Sequence, residues 1–307
     1  MNFCTYFDGN YAPQGLVLLR SIARHVPAAT VRVLALDDEA LQCVLAADWP
    51  MPVHVVRLVE LEDEALLRLK AQRSWREYIF TLTPTWVKYC LARWRPLDIA
   101  YIDADCWLVA DLQPLYAELG QSSVAVIPHR WSPQHAQRLR PSGEFNVGWL
   151  YFRNDPLSKV VLALWQDDCY GWRKPTRGPA FSDQVYLNSW PGLLGPLLHQ
   201  VRHLGANLAP WSQEQYTYGV RDGQLRIGGE HGAPVLFYHF HGWRSPANRA
   251  GYVLASAVVE HLYLPYEQEV LGASAQGGSN GRAQVVDDHS RGLVPVLRSH
   301  SDPQPTL

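Results

Sequence analysis

The sequence predicts an α/β fold in which a mainly parallel sheet is flanked by helices. Short apolar runs typical of buried strands alternate with segments whose apolar residues recur at helical spacing, and this order favours parallel strands joined by helices. The 307 residues are 47% hydrophobic and 18% charged, so the chain has enough apolar surface for a large core. No internal repeat is visible in the sequence.

The first half of the chain contains four predicted strands. The run at residues 2–7 is apolar, and Asp8-Gly9-Asn10 directly after it marks a turn. In chain order we predict a strand at 2–7, a helix that ends at Pro27, a strand at 31–36, a helix at 39–47, a strand at 53–59, mostly helical residues over 62–94, and a strand at 99–102.

The second half contains two polar loops and a change of composition near its end. In chain order we predict a strand at 123–127, a loop at 131–144, a strand at 145–152, a helix from Leu157 to about Trp172, a loop at 173–182, a helical turn at Asp183–Trp190 and a strand at 234–240. From Glu267 onward Gly, Ser, Gln and Asn become frequent and apolar periodicity fades. We therefore predict a folded domain over residues 1–266 and a disordered C-terminal tail over 267–307.

Charge and cysteine content exclude several classes of protein. The net charge is −2, so no overall basic field favours nucleic acid as a partner. No run approaches the ~20 apolar residues that a transmembrane helix needs. The five cysteines are scattered and contain no CxxC pair, which indicates reduced thiols in the cytoplasm rather than a disulfide framework or a cysteine metal site.

Two aspartates follow the predicted strand at 99–102. Asp103 and Asp105 are two positions apart, so they lie on the same side of an extended chain, at the strand end where open α/β sheets bind ligands. Hard oxygen ligands on one face suit Mg²⁺ or Mn²⁺. The alternative is a pair of solvated turn residues. The apolar runs on both sides favour the metal site.

Two histidines flank Phe240 at the end of the last predicted strand. His239 or His241 could complete the metal shell, and imidazole favours Mn²⁺ over Mg²⁺. A pair of half-buried strand histidines with backbone partners is the alternative. The metal interpretation gains from the independent aspartate pair.

Further polar residues stand where a substrate could be bound. Asp183-Gln184 begins the helical turn after the second loop, where an acid could also serve as a simple cap. Asn146 and Asn207 each stand beside a glycine, and amides suit sugar hydroxyls, although turn formation explains the same residues nearly as well.

Six short motifs together resemble a known family. They are YFDGNY (6–11), Lys88 in a helix before the aspartates, YIDAD (101–105), FNVG (145–148), SDQVYLN (182–188) and YHFHG (238–242). In this order and spacing, over roughly residues 1–265, they resemble the GT-A glycosyltransferases, especially the family 8-like retaining enzymes that build bacterial lipopolysaccharide. No single motif is specific.

The resemblance implies a role for each matching residue. The implied metal ligands for Mn²⁺ (or Mg²⁺) are Asp103, Asp105 and His239; the catalytic pair is Asp183 and Gln184; the donor-binding residues are Tyr6, Asp8, Asn10, Lys88, Asn146, Gly242 and Arg244. Asn207 and Trp211 are expected on the acceptor side. Two departures from the family concern Lys88, which replaces an arginine, and Arg244, which stands in a Trp-Arg-Ser-Pro run in place of Lys-Pro-Trp.

The expected function is metal-assisted transfer of a sugar from a nucleotide diphosphate donor, such as a UDP-sugar, to a glycan or other hydroxyl acceptor with retention. An inverting path would need a base, for which Glu144 and Asp155 are candidates. The two polar loops are expected to act as lids that exclude water. The alternatives are a sugar-nucleotide pyrophosphorylase-like enzyme, a haloacid-dehalogenase-type phosphatase and a non-catalytic sugar-nucleotide-binding protein.

Overall fold

The fold is organised around one seven-stranded mixed sheet. The structure is a computed structural model that describes residues 1–172, 183–249 and 251–277. Its strands are β1 (Asn2–Phe7), β2 (Thr30–Ala35), β3 (Val53–Arg57), β4 (Asp98–Ile102), β5 (Cys106–Leu108), β6 (Val124–Pro128), β7 (Phe145–Arg153), β8 (Leu198–Gln200), β9 (Tyr218–Arg221), β10 (Gln224–Ile227), β11 (Ala233–Pro234) and β12 (Phe237–His239).

Helices connect and cover these strands. The α-helices are α1 (Ala12–His25), α2 (Asp38–Leu45), α3 (Leu58–Leu61), α4 (Glu64–Gln72), α5 (Trp75–Trp94), α6 (Gln113–Leu119), α7 (Leu139–Ser142), α8 (Pro156–Gly171), α9 (Trp190–Leu194), α10 (Ser256–Val258) and α11 (Leu264–Gly277). Short 3₁₀ turns occur at Gly9–Tyr11, Pro133–Arg138, Asp183–Ser189, Gly195–Leu197 and Gln213–Gln215, and a π-turn at Val259–Tyr263 precedes α11.

The strand order of the main sheet is β3-β2-β1-β4-β7-β6-β8. Pairs β3–β2, β2–β1, β1–β4 and β6–β8 are parallel, whereas β7 runs antiparallel to both of its neighbours. The prediction of a mainly parallel sheet flanked by helices is confirmed. Because β7 is reversed, its first residues lie at the same edge as the end of β4, and this edge carries the candidate site.

Several small elements escape the sequence prediction, β5 and α6 among them. Strand β8 and the hairpin β9–β10 have only three or four residues each, too short for a periodicity to be recognised. The predicted strand 234–240 is split, and its ordered part, β12, pairs with β5 outside the main sheet. That pairing brings two distant parts of the chain together.

Apolar side chains fill both faces of the sheet. One face packs on α1, α2, α6 and α11, with Phe3, Val17 and Trp149 among its fully buried residues. The other packs on α5, α8 and α9, with Trp86 and Trp165 fully buried. Among the described residues no helix combines the length and apolar character that a membrane span requires.

Helix α5 begins with a capping box. The Ser74 hydroxyl accepts from the Glu77 amide, and the Glu77 carboxylate accepts from the Ser74 amide, so two free donors of the first turn are satisfied. The helix begins at the carboxyl edge of the sheet, so Trp75 and Thr83 in its first half lie at the candidate site.

The folded domain extends beyond its predicted boundary at residue 266. Helix α11 continues to Gly277, and Val270 and Ala273 are buried on it. Glu267 accepts hydrogen bonds from the Trp243 indole and from Arg249. The tail prediction is therefore wrong for residues 267–277, because a small-residue composition hides these anchors. The remainder of the predicted tail, 278–307, lies outside the described residues.

Candidate active site

The aspartate pair lies at the carboxyl end of β4, as the sequence predicts. The Asp103 amide donates to the carbonyl of Gly148 at 3.1 Å, which continues the β4–β7 pairing by one residue. The Tyr101 hydroxyl donates to Asp103 Oδ1 at 2.7 Å and orients that carboxylate. The backbone therefore places Asp103 against the start of β7, and the turn that follows brings Asp105 to the same edge.

His239 reaches Asp103 and Asp105 from β12, which pairs with β5 in the two-stranded sheet. It is the register partner of Cys106 in the β12–β5 pair, and the Phe240 amide donates to the Asp105 carbonyl at 2.8 Å. Its Nε2 lies 3.1 Å from Asp105 Oδ1 and 3.7 Å from Asp103 Oδ2. The three residues implied as metal ligands thus converge.

Asn146 organises the other side of the imidazole. Its Oδ1 lies 3.2 Å from His239 Nδ1, and it also accepts from the Gly148 amide and from Asn207 Nδ2, both at 2.9 Å. With Nδ1 facing that acceptor, Nε2 is left to face the carboxylates. A β-bulge between Val126 and Ile127, opposite this stretch of β7, accompanies the placement of the amide, as is common next to binding sites.

Steric crowding explains why position 148 of the FNVG motif is a glycine. A Cβ added there would fall 2.5 Å from His239 Nδ1 and even closer to Asn146 Oδ1. Neither the Asn146 amide nor the His239 imidazole can move aside easily, because both are buried and bonded to each other. The glycine therefore leaves the space in which the amide and the imidazole meet.

Asp103, Asp105 and His239 shift one another's pKa. Burial raises the pKa of Asp103 above its ordinary value, and the neighbouring Asp105 adds to the rise. Burial alone would also raise the pKa of Asp105, but the adjacent His239 lowers it below the usual range. For His239 the charge and hydrogen bond of Asp105 outweigh burial and raise the pKa. A buried cluster of this kind gains from a cation that neutralises both carboxylates.

Cys106 lies within the same cluster. Its sulfur, a carboxylate oxygen of Asp105 and a nitrogen of His239 lie within 4.8 Å of one another. The thiol is fully buried, burial raises its pKa, and it donates to the Gly148 carbonyl. A protonated, engaged thiol is a poor metal ligand, so we take Asp103 rather than Cys106 as the partner of Asp105 and His239. Two carboxylates and one imidazole fit Mn²⁺ or Mg²⁺.

Asp183 and Gln184 lie beside this cluster at the start of the 3₁₀ turn. Thr83 of α5 donates to Asp183 Oδ2 at 2.8 Å, and the Tyr6 hydroxyl lies 2.9 Å from the Thr83 oxygen. Gln184 Oε1 accepts from Asn146 Nδ2 at 3.3 Å. The Asn146 amide therefore links Gln184 to His239, and the Tyr6 hydroxyl is bonded to Thr83, which in turn donates to Asp183.

Burial changes the acidity of Asp183. The side chain is almost inaccessible, and its pKa is raised to about 7, mainly by burial and further by the charge of Asp103. The hydrogen bond from Thr83 opposes this rise. A carboxyl group with such a shift, held in a cleft by dedicated donors, is typical of a functional site.

The turn after β1 forms a second wall of the site. Asp8 caps the 3₁₀ turn by accepting from the Tyr11 amide, and its other oxygen accepts from the Trp75 indole at 3.3 Å. Arg244 donates to the Tyr11 hydroxyl at 2.7 Å and lies over its ring. Asn10, two positions after Asp8, is exposed.

Gly242 enables the turn that carries Arg244 to this wall. Its φ of +74° lies in the left-handed region, which favours glycine. The Trp243 amide donates to the Phe240 carbonyl at 2.9 Å and closes the turn. The role of Gly242 in the structure is conformational.

Lys88 is not brought to the site. Its ammonium donates to Gln166 of α8, and it lines a groove together with Asn154. Asn154 follows β7 at the edge where Arg153 pairs with Asp98, the first residue of β4, so this groove lies at the opposite edge from Asp103. The prediction of donor binding by Lys88 is wrong. Its position on α5 turns the side chain towards Gln166 of α8 and away from the candidate site.

The two predicted acceptor residues are buried beside the cluster. Trp211 donates to the His129 carbonyl and packs edge-on against His239 and His241. Asn207, with a φ of +57°, donates to Asn146. Among the described residues the buried Oδ1 of Asn207 has no hydrogen-bond partner.

Sequence reasoning misses four residues that support the site: Thr83, Tyr101, Trp75 and His129. His129 is buried, and its Nε2 lies 3.4 Å from Asn146 Nδ2 while its ring stacks on Trp131. Burial lowers its pKa to about 3, so it is a neutral acceptor. Thr83, Trp75 and His129 each act on a partner distant in the chain and carry no local signal, whereas Tyr101 stands in the YIDAD motif two positions from its partner Asp103.

The candidates for an inverting base are separated by the structure. Asp155 caps α8 and accepts from Ser123 and Ser158 at the far edge of the sheet, so it is excluded. Glu144 directly precedes β7 at the edge of the site, where its amide donates to Asn188. Of the predicted lids, residues 131–144 form the Pro133–Arg138 turn and α7, and 173–182 lie outside the described residues.

Comparison with known proteins gives relatives of low identity. Two proteins of Bacillus subtilis (strain 168) are similar over most of the chain: the uncharacterized protein YfnD is 27% identical over 275 residues, 86% of this chain and 87% of its own length. The uncharacterized protein YfnF is 28% identical over 250 residues, 79% of this chain and 81% of its own length. No family model matches the chain.

Solved structures show the fold. The galactosyltransferase LgtC in complex with donor and acceptor sugar analogues matches with a TM-score of 0.52 at 14% identity, covering 85% of this chain and 100% of its own. Glycosyltransferase GlyE of Streptococcus pneumoniae TIGR4 matches at 0.54 and 15% identity, with 90% and 62% covered. Mouse xyloside xylosyltransferase 1 matches at 0.50 and 14% identity, with 78% and 98% covered. The chain therefore has the GT-A nucleotide-sugar transferase fold.

Proposed function

We propose that the protein is a metal-dependent glycosyltransferase that moves a sugar from a nucleotide diphosphate donor to a hydroxyl acceptor. The observation that carries this proposal is the convergence of Asp103, Asp105 and His239 next to Asp183 and Gln184 at one edge of a GT-A sheet. The proteins with similar structures are glycosyltransferases by name, which supports the same reaction class.

Asp103, Asp105 and His239 would hold a divalent cation, which would act as a Lewis acid and neutralise charge on the leaving diphosphate. Arg244, held against Tyr11, adds a fixed positive charge on the same wall. The nucleoside is bound by Asp8, by Asn10 and by Trp75, whose indole donates to Asp8. We propose a UDP-sugar as the donor class. We propose the cytoplasm as the compartment because all five cysteines are free thiols.

Asp183 and Gln184 act on the reacting sugar. The anomeric carbon develops oxocarbenium character in glycosyl transfer, and a carboxylate or amide oxygen against its far face stabilises that charge. Asn146 donates to Gln184 and thereby sets which way the amide points. Following the family resemblance, we propose retention, with the acceptor hydroxyl attacking from the side of the leaving group.

The test uses purified protein and a panel of sugar nucleotides. Thermal shift with and without Mn²⁺ identifies the donor, because a ligand that binds the native state raises its melting temperature. Donor hydrolysis is then followed for the protein and for Asp103→Asn, Asp105→Asn and Asp183→Asn. We expect metal-dependent donor binding to be lost in the first two variants and hydrolysis, but not binding, in the third.

Two outcomes would contradict the proposal. Formation of a sugar 1-phosphate and a nucleoside triphosphate when pyrophosphate is added to the donor would identify a pyrophosphorylase-like enzyme. Binding of donor with the same affinity in Asp103→Asn and Asp105→Asn, without any hydrolysis, would identify a sugar-nucleotide-binding protein. NMR of the product's anomeric proton distinguishes retention from inversion, and Glu144→Gln tests the remaining base candidate.

A further inference from the structure

The two ends of segment 131–144 meet at the edge of the sheet that carries the candidate active site. Strands β6 and β7 run antiparallel, and the His129 amide continues their pairing by donating to the Glu144 carbonyl at 2.8 Å. The indole Nε1 of Trp131 donates to the Gly143 carbonyl at 3.2 Å. The backbone therefore brings Trp131, which follows β6, close to Glu144, which precedes β7.

The indole ring of Trp131 is fixed in place and partly open to solvent. It stacks on the His129 imidazole, with ring centroids 4.4 Å apart and planes 16° apart, and it packs against Trp211 at 5.6 Å. His129 and Trp211 are only 3% and 2% exposed, whereas Trp131 is half-buried. Of these three rings, Trp131 is therefore the one that a ligand can reach.

The two neighbours of this indole ring both contact groups of the candidate active site. His129 Nε2 lies 3.4 Å from the Asn146 amide nitrogen, which donates to Gln184 at 3.3 Å. Trp211 packs edge-on against His239, with ring centroids 5.4 Å apart. Two independent chains of contacts therefore connect the indole to the proposed catalytic glutamine and to the proposed metal ligand.

Glu144 brings a carboxylate to the same edge. Its amide donates to Asn188 Oδ1 at 2.8 Å, and a Cβ added at Gly143 would fall 3.0 Å from the same oxygen, so this backbone packs closely on the turn Asp183–Ser189. The Glu144 side chain is exposed, and within residues 1–172, 183–249 and 251–277 its carboxylate has no hydrogen-bond or ion-pair partner. A carboxylate accepts hydrogen bonds and donates none, so it suits the hydroxyl groups of a ligand.

We propose that Trp131 is the platform on which the acceptor stacks, and that the acceptor is a sugar ring. The face of a pyranose presents C–H groups, which pack on the electron-rich face of an indole, while hydroxyls at the ring edge donate to the Glu144 carboxylate. The hydroxyl of a serine side chain or of glycerol has no such flat face. Trp131 takes the acceptor contact that the sequence assigns to the buried Trp211. The acceptor role rests on the proposed function, whereas binding of a sugar to Trp131 does not.

The first measurement needs no activity. Methyl glycosides of common pyranoses are titrated into the full chain, whose tryptophan indoles are isotope-labelled for NMR, and glycerol serves as the hydroxyl compound without a ring. We expect a glycoside to shift the Trp131 indole resonance, which is assigned as the one missing from the spectrum of Trp131→Phe. Glycerol should leave that resonance in place, and the indole resonance of Trp49 should not respond to either compound.

The second measurement is transfer to the glycosides that bind. Trp131→Leu should raise the acceptor KM at least about fivefold, with kcat and donor affinity nearly unchanged, and Trp131→Phe, which keeps an aromatic face, should recover most of the loss. Glu144→Gln should raise the same KM by a similar factor. Trp49→Leu is the matched control, because Trp49 is also half-buried and its indole also donates to a backbone carbonyl, that of Val44.

Several outcomes would overturn the proposal. They are a Trp131 resonance that no glycoside shifts, an equal rise of the acceptor KM in Trp49→Leu, and equal use of glycerol or a serine peptide as acceptor. Weaker donor binding in Trp131→Leu at an unchanged acceptor KM would assign the ring to the donor instead. If the parent protein transfers no sugar, the proposed function fails, and the glycoside titration still decides whether Trp131 binds a sugar.

Discussion

The Nδ1 atom of His239 lies 3.2 Å from Oδ1 of Asn146, while its Nε2 atom lies 3.1 Å from Asp105. One imidazole therefore joins the carboxylates to an amide that also touches Gln184. At the proposed metal site, Asn146 would therefore act through His239 rather than by direct contact with the ion.

The first prediction concerns this amide. Asn146→Ala frees the imidazole to rotate and should lower Mn²⁺ affinity about 10–100-fold, the usual loss when an outer-shell partner of a metal ligand is removed. Calorimetric titration of Mn²⁺ without donor measures it. Asn188→Ala is the control, since Asn188 bonds to the Glu144 amide and not to the cluster. Unchanged Mn²⁺ affinity in Asn146→Ala would show that the bond does not orient the ligand.

The second prediction separates the two histidines. His239→Ala should weaken Mn²⁺ binding by at least about 10-fold, because it removes a direct ligand. His241→Ala should have a smaller effect, since burial and the charge of His239 hold its pKa down to about 4 and its ring faces Trp211. Both variants are titrated with Mn²⁺ and melted. A lower melting temperature with normal Mn²⁺ affinity for His239→Ala would make it a structural histidine.

The third prediction follows from the raised pKa of Asp183. An aspartate in the unfolded chain has a pKa of about 3.9, whereas burial raises that of Asp183 to about 7. The folded protein holds this proton more tightly, so the free energy of unfolding falls as pH rises from about 4 to about 7. Asp183→Asn removes this loss and can still accept from Thr83.

We therefore expect Asp183→Asn to melt a few degrees above the parent protein at about pH 8 and at nearly the same temperature at about pH 4.5. Differential scanning calorimetry with a metal chelator present measures both. Thr83→Val is the companion variant, because it removes the hydrogen bond that lowers the pKa and should make the parent's pH dependence steeper. A lower melting temperature for Asp183→Asn at the higher pH would show that the ionised carboxylate stabilises the fold.

The fourth prediction places the end of the folded domain. Deletion of residues 267–307 removes the Glu267 bonds to Trp243 and Arg249 and the buried Val270, so it should lower the melting temperature strongly. Deletion of 278–307 should leave it nearly unchanged, as the composition of that segment predicts. Equal losses from both deletions would show that the last thirty residues contribute to packing.

Patterns that depend on near neighbours are predictable from the sequence. The strand at 2–7, the aspartate pair after β4 and the short turn at Asp183 each depend on a run of adjacent residues, and all three stand where predicted. The position of His239 is also predictable, because β12 is an apolar run that ends in a histidine.

Long-range contacts are not predictable in this way. Thr83 reaches Asp183 across 100 positions, and the phase of α5 decides that Thr83 faces the site while Lys88 does not. A helix that is apolar on several sides gives no sequence signal for that phase. Nothing local to Asn146 marks it as the hydrogen-bond acceptor of a histidine 93 positions later.

The reversed direction of β7 divides the site between two independent stretches of chain. The carboxylates come from the end of one strand, and Asn146 comes from the beginning of the next one in the sheet, fed by the segment 131–144. Insertions or substitutions in that segment can reshape the pocket without disturbing the backbone that holds Asp103 and Asp105. For the proposed transferase, evolution could therefore exchange the sugar or acceptor while the proposed cation ligands are inherited unaltered.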